Sequence, residues 1–446
     1  MPRLSRNEII MLRDGSSVCV EALIGSGGQG EVYRVRWQAK GGKIAALKWY
    51  TEQGIIENKD FYKSLCVNAS RPAPSEAFLW PLAVACYQKG SFGYIMHLCP
   101  EGYEELGNFF SIDRHPEAWF RSFDARLRAA IIISDAFARL HLQGLSYQDI
   151  NDGNFFINPV SGDVRICDND NISINGTNHG IGGKPHYMAP EVIAGSIPTA
   201  YSDRLSLAII LYRIFMTDHP FEGASTTAAR HACMTPEVEA RVFGSEAVFC
   251  HDASDSSNRP VAGLHDNSVR FWPLMPALLR RAFSEALSRR AILNPAVRLS
   301  GLKWKSILVQ ARRLAGCCQA CETDPPHDFL ADAQLPSQCP LCGEAMSPEA
   351  WLRFDHDGSL YRLMRHKPLY IDDSSRPEGR CVRMKGDDSR AGLALLNCGK
   401  ASWTVLSHGG RGLEVAPGRA VQLLPGLALR FSADRSARVV SDHSFV

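Results

Sequence analysis

What this chain has little of narrows its class first. Charge of either sign is not in excess: 49 lysines and arginines face 47 aspartates and glutamates, leaving +2. That balance gives no electrostatic reason to expect nucleic acid or a membrane surface as partner. Long apolar runs are missing too. Residues 129–134 are too few to cross a bilayer, and residues 205–216 carry Arg213. Residues 1–17 are polar and lack the apolar core of a signal peptide. No internal repeat or low-complexity stretch is present. The expectation is a cytosolic globular protein, and 446 residues with 45% hydrophobic and 22% charged side chains give room for two or three domains.

Cysteine, in contrast, is plentiful at fourteen residues. Cys66, Cys86, Cys167 and Cys233 stand in apolar contexts and read as reduced core residues. Four others form two knuckles, Cys318-x-x-Cys321 and Cys339-x-x-Cys342, separated by residues 322–338. In a cytosolic chain, paired C-x-x-C knuckles of this spacing suit a tetrahedral four-cysteine zinc site with a structural role. Pro340 lies inside one knuckle and Gly343 just after it. Cys317 competes for the first place, but only Cys318 keeps the two-residue spacing to Cys321.

The remaining pattern divides the chain. Residues 18–23, 32–37, 44–50 and 92–98 read as strands, and 55–68 as a helix. Pro100 and Gly102 make a plausible hinge. Residues 126–142, 198–216 and 276–314 are helical in spacing, and the second is apolar enough to be mostly buried. After about residue 350, short strands at 393–397, 402–407, 412–416, 420–424 and 427–431 alternate with Gly, Pro and polar turns. The predicted fold class is α+β: a bilobal unit with a β-rich lobe at 1–103 and a helical lobe at 104–315, a zinc ribbon at 316–347, and a small β-sandwich-like module at 348–446. A cleft between the two lobes is where a ligand would bind.

The chemistry-bearing motifs fall on the two lobes. A glycine-rich turn, G-S-G-G-Q-G at 25–30, joins two predicted strands, so its backbone amides can approach phosphates that side chains would keep away. It does not open a helix, as a dinucleotide fingerprint must. Lys48 ends a strand reading A-L-K. Then come Y-Q-D-I-N-D-G-N at 147–154 and I-C-D at 166–168, which set Asn154 and Asp168 five and nineteen residues after Asp149. Phosphoryl transfer needs one carboxylate to accept a hydroxyl proton, plus an amide and a second carboxylate to hold magnesium. Further on stand M-A-P-E ending at Glu191, S-D-R-L-S-L beginning at Ser202, and Arg298.

In this order the motifs resemble those of protein kinases. Asp168-Asn169-Asp170, F-L-W-P at 78–81, S-N-R-P-V-A-G-L-H-D-N at 257–267 and the cysteine pairs look more narrowly like one bacterial group. Its members are serine/threonine-kinase-like proteins with a zinc ribbon, associated with tellurite-resistance-type systems. They occur beside von Willebrand factor A-type proteins and metal-dependent protein phosphatases. The resemblance covers roughly residues 18 to 345.

It implies ATP and Mg2+ (or Mn2+) as cofactors beside structural Zn2+. It implies Asp149 as catalytic base, with Asn154 and Asp168 as magnesium ligands. Lys48 would hold the ATP phosphates, with Gly25, Gly27, Gly30 and Val32 forming the nucleotide-binding loop. Asp203, and Glu191 paired with Arg298, would be structural. A helix glutamate should pair with Lys48. Glu57 is the first choice, with Glu76 or no such partner as alternatives. Small-molecule kinases of the aminoglycoside or choline type lack the M-A-P-E segment.

The departures from the family pattern are informative. Tyr147 and Gln148 replace the usual His-Arg, so no arginine beside Asp149 is ready to receive a phosphorylated activation loop. Asn151 replaces the lysine two residues after the base. Lys184, in G-K-P-H-Y, is expected to supply the missing amine. Asp168-Asn169-Asp170 replaces Asp-Phe-Gly, with Asp170 read as a solvated turn residue or a second metal ligand. The C-terminal module lacks the phosphothreonine-reading motifs of forkhead-associated domains and reads as a docking or regulatory module, with Trp403 in its core. Two functions compete: an active serine/threonine kinase that also autophosphorylates, and a pseudokinase scaffold organising partners through the ribbon and β module.

Overall fold

The computed structural model describes residues 4–111, 119–178, 180, 182–318, 320–321, 328–332, 336–339, 342–346, 350–371, 376–383, 392–406 and 412–440. Pro340 and most of the segment between the cysteine knuckles lie outside them. None of the helices among the described residues is long and apolar enough to cross a membrane.

The first lobe is an antiparallel sheet of β1 (Ile9–Met11), β2 (Ser17–Ser26), β3 (Gly30–Trp37), β4 (Lys43–Tyr50), β5 (Ala83–Val84) and β6 (Gly93–Met96), in the order β1-β2-β3-β4-β6-β5. Alternation along β3 and β4 sends Tyr33, Val35, Leu47 and Trp49 into one apolar cluster, while Ala46 and Tyr50 enter a second on the other face. The second cluster is closed by α1 (Gln53–Glu57) and α2 (Lys59–Ala69), which contribute Ile56, Phe61 and Leu65. The single helix expected at 55–68 is thus two. Asn58 takes an extended backbone, and its side chain accepts the Phe61 N–H at 3.0 Å, so it caps α2 instead of continuing α1.

The second lobe is built on α3 (Phe123–Leu142) and the helix Ala200–Met216, both mostly buried. The helical stretch expected at 276–314 is divided into Ala277–Ala286, Arg289–Leu293 and Gly301–Leu314, with Ser288 and Ser300 capping the last two. Helix Gly301–Leu314 packs along α3. The F-L-W-P segment lies against the strand Val164–Ile166: Leu79 donates to the Ile166 carbonyl and Ile166 to that of Ala77, each at 2.8 Å.

Downstream, two antiparallel sheets face one core containing Leu352, Phe354, Leu395, Trp403 and Phe431. All five strands expected there are present, at Leu393–Asn397, Trp403–Leu406, Leu413–Val415, Ala420–Gln422 and Ala428–Ser432. This module is tied to the helical lobe at the end of helix Gly301–Leu314. Buried Arg362 donates to the carbonyls of Leu314 and Asp332, and Lys367 donates to that of Arg313 at 2.6 Å. The last carbonyls of a helix have no partner within it, and cations there also suit its dipole.

Candidate active site

Lys48 projects from β4, opposite Val32 on β3 and Tyr94 on β6. Its side chain is 6% exposed. The ammonium meets Asp170 Oδ2 at 2.9 Å and Oδ1 at 3.2 Å, Asp168 Oδ1 at 3.2 Å, and Gln29 Oε1 of the glycine-rich turn at 3.1 Å. Burial opposes its charge, but Asp170 and Asp168 outweigh that cost and raise its pKa. Gly30 must be glycine for packing reasons. A Cβ there would stand 2.3 Å from the Trp49 carbonyl oxygen, forcing β3 away from β4 beside the lysine. Gly27 leaves space open above the turn, while a Cβ at Gly25 would meet the Val32 Cβ at 3.8 Å; Val32 is half-buried.

Glu57 is not the partner of Lys48. It is exposed at the end of α1, where it accepts from Gln53 Nε2 at 2.5 Å. Glu76 is exposed as well, on the loop before Ala77. The α2 helix offers no substitute, since Asp60, its one acid, pairs with Lys63 on the surface. Asp170 takes that place, and neither expected role fits it. Its side chain is fully buried rather than solvated. Both oxygens are engaged by Lys48 and by two tyrosine hydroxyls, Tyr50 at 2.6 Å and Tyr94 at 3.1 Å, which leaves nothing for a second metal.

Across the cleft, Asp149 sits half-buried on the loop after strand Leu145–Ser146. Asn151 Nδ2 donates to its Oδ1 at 2.9 Å, the Lys184 backbone N–H to Oδ1 at 3.1 Å, and Asn154 Nδ2 to its carbonyl at 2.9 Å. Burial raises the Asp149 pKa above the ordinary aspartate value despite these donors. The Lys184 ammonium reaches Asp152 Oδ1 at 2.5 Å, and Arg213 approaches Asp152 Oδ2 at 3.2 Å. Burial would raise the Asp152 pKa, but Lys184 and Arg213 bring it below the ordinary value.

The loop is fixed from below. Asp203, at the start of helix Ala200–Met216, accepts the N–H of Tyr147 at 2.7 Å and of Gln148 at 3.0 Å, and meets His141 Nε2 at 3.0 Å. The Tyr147 hydroxyl donates to the Cys167 carbonyl, tying the loop to the residue before Asp168. Asp168 itself adopts a left-handed backbone, φ +50°. Arg298 spends all five donors: two on the Glu191 carboxylate at 2.6 and 2.9 Å, and three on the carbonyls of Ala291, Ile292 and Tyr201.

The four knuckle cysteines converge as expected. The Sγ atoms of Cys318, Cys321, Cys339 and Cys342 all lie within 4.8 Å of one another. Four thiols at that separation fit one tetrahedral Zn2+, an ion that thiolates bind well. Cys317 is buried on a short strand and is not in the cluster. For magnesium, Asp168 and Asn154 supply the hard oxygen donors such an ion takes, with the Asp168 side chain 37% exposed to the cleft.

Comparison with known proteins bears on the same region. The model of the protein kinase domain family matches residues 19–293. Serine/threonine-protein kinase nrc-2 of Neurospora crassa is 27% identical over 238 residues, 46% of this chain and 37% of that protein. The probable serine/threonine-protein kinase C70.05c of Schizosaccharomyces pombe is 29% identical over 143 residues, 29% of this chain and 17% of its own length. The chain therefore spans well under half of either relative.

Proposed function

This chain belongs to the protein kinase domain family, and from that premise we propose that it is an ATP-dependent protein serine/threonine kinase that also phosphorylates itself. The observation that carries the reading is the gathering of Lys48, Asp149, Asn154 and Asp168 around one cleft under a glycine-rich turn. Asp149 accepts the proton of the attacking hydroxyl as its oxygen bonds to the γ-phosphorus. The bond to the bridging oxygen breaks, and ADP leaves. Lys48 orients the phosphates, the amides around Gly25, Gly27 and Gly30 cover them, and Asn154 and Asp168 would hold Mg2+. That ion, when bound, neutralises charge developing on the phosphoryl oxygens.

Lys184 supports the transferred phosphate from across the site in place of the lysine that Asn151 replaced. Its proximity to Asp152 and, through its backbone, to Asp149 supports the assignment. Glu191, Arg298 and Asp203 are positioning residues. Zinc in the Cys318, Cys321, Cys339, Cys342 cluster is structural, with four units at 1–103, 104–315, 316–347 and 348–446. The resemblance to bacterial ribbon-bearing kinases makes a von Willebrand factor A-type protein and a metal-dependent phosphatase the partners to try first, in a cytoplasmic setting.

The test is incubation of the purified chain with labelled ATP and Mg2+ or Mn2+, followed by phosphosite mapping, with Asp149→Ala and Asp168→Ala as controls. Label incorporated by the native chain and lost in both controls is the expected result. No transfer to itself or a generic acceptor, and no metal-dependent ATP binding, would overturn it in favour of a scaffold.

A further inference from the structure

We propose that Asp170, held by the hydroxyls of Tyr50 and Tyr94, is the positioning residue that fixes Lys48 for nucleotide binding, so that the α2 helix is not required to bring a carboxylate to it. This rests on the kinase reading for its consequence and on geometry for its substance.

The geometry is a closed set. Asp170 is the best-buried acid at the cleft, its side chain 0% exposed. Its two oxygens take Lys48 at 2.9 and 3.2 Å, Tyr50 at 2.6 Å and Tyr94 at 3.1 Å. A buried carboxylate is costly unless its lone pairs are filled and its charge is met, and here both conditions hold. Lys48 is bound on the other side by Asp168, which the reading gives to magnesium. Asp170 can therefore keep hold of the lysine when Asp168 turns to a metal. The backbone supports the arrangement: Asp170 lies in a short 3-10 turn, Asn169–Asn171, that follows the left-handed Asp168.

The tyrosines are themselves fixed by packing. Tyr50 sets its ring edge-on to Phe61 of α2 at 5.4 Å and tilts against Phe92 at 4.9 Å. Burial, with Asp170 next, raises the pKa of both phenols well above the ordinary value, so each stays a hydroxyl that can donate. The α2 helix thus touches the site through apolar contacts with a ring, while the exposed Glu57 and Asp60 take no part. Moving α2 outward would loosen Tyr50 without removing the charge that faces Lys48. The ion pair joins the sheet of the first lobe to the Asp168–Asp170 turn of the second, and no carboxylate of α2 enters it.

Asp170→Asn tests this, with two readouts on the full chain. One is Mg-ATP affinity by calorimetry, alongside KM for ATP where transfer is measurable. The other is the rate of Lys48 acetylation by a small amine-reactive ester in the nucleotide-free chain, followed by peptide mass spectrometry. The expected result is Mg-ATP binding weaker by on the order of 10-fold, as for loss of a charge-assisted bond, with KM rising more than kcat falls. Lys48 acetylation should speed up by a similar factor.

Tyr50→Phe and Tyr94→Phe should move both readouts the same way by less. A purely structural Asp170 would lower Tm while leaving Lys48 labelling and Mg-ATP affinity native below the transition, and that result overturns the proposal. If Asp170→Asn does not fold, the Tyr50→Phe, Tyr94→Phe double variant decides by the same two readouts. If the native chain binds no Mg-ATP, the kinase reading fails, and the acetylation rate alone decides whether Asp170 pins the lysine.

Discussion

Replacing Arg298 by Ala should unfold the helical lobe at a markedly lower temperature while leaving the first lobe's sheet intact. Arg298 is 1% exposed at its side chain and has five N–H donors, all used. Truncation removes the donors of the Glu191 carboxylate and of the Ala291 and Ile292 carbonyls, and a second donor to the Tyr201 carbonyl. Breaking a buried ion pair from one side costs roughly 3–5 kcal/mol. Glu191 remains 27% exposed, so water can reach it. The cost then belongs at the low end, about 3 kcal/mol. For a lobe of this size that corresponds to a fall in Tm of about 6–12 °C.

Arg298→Lys is the sharper probe. An ammonium has three donors and no planar fork, so at least two of the five acceptors go unmet. The expected loss is about 2 kcal/mol, from the unsatisfied buried groups. Differential scanning calorimetry of the three proteins, with circular dichroism to confirm the remaining secondary structure, supplies the numbers. If Arg298→Ala melts within about 2 °C of the native chain, the reasoning that this bonding set holds the segment ending at Glu191 in place is wrong.

Three further expectations concern the site and the cysteine cluster. Elemental analysis should find one zinc per chain, removed by chelation or by Cys339→Ser, with loss of order around strand Gly316–Cys317; structural zinc sites contribute on the order of 10–16 kcal/mol in small modules. Because burial raises the Asp149 pKa, its carboxyl is protonated, and useless as a base, up to a higher pH than an ordinary aspartate. The kcat profile should fall as pH drops through that raised value, and an acid limb at or below the ordinary aspartate range would refute the role. Lys184→Ala should cut kcat by about 100-fold, the loss typical of one charge-stabilising donor, and unchanged transfer would end that assignment.

Much of this is legible in the sequence. Asp149, Asn154, Asp168 and Lys48 were legible through their ordered motifs and the resemblance to protein kinases, and Lys48 meets Asp168 at 3.2 Å. The cysteine knuckles carry their geometry in their sequence, since tetrahedral thiolate sites demand it. Glu57 failed because Asn58 can cap a helix through its side chain, which starts α2 afresh and leaves Glu57 facing water. Asp170 failed for the opposite reason. An aspartate between two asparagines looks like a surface turn, and nothing nearby in sequence tells that Tyr50 and Tyr94 donate to it from 120 and 76 residues away. The faint signal was there: two buried tyrosines, one on the lysine's own strand and one on its neighbour β6, need hydroxyl partners. Strands such as Leu360–Leu363 were missed because they carry arginine, and Arg362 is buried only because carbonyls in another part of the chain receive it.

That last arrangement makes the final turn of helix Gly301–Leu314 unfinished until residue 367 has been made. A chain stopped at residue 315 would retain every group assigned to phosphoryl transfer, yet leave two backbone carbonyls without donors at the end of a helix that packs along α3. The stability of the β module and that of the helical lobe are then coupled. Anything that binds and stabilises the module would stiffen the lobe by mass action, and a lesion in its sheets would surface as a fault in the helical lobe.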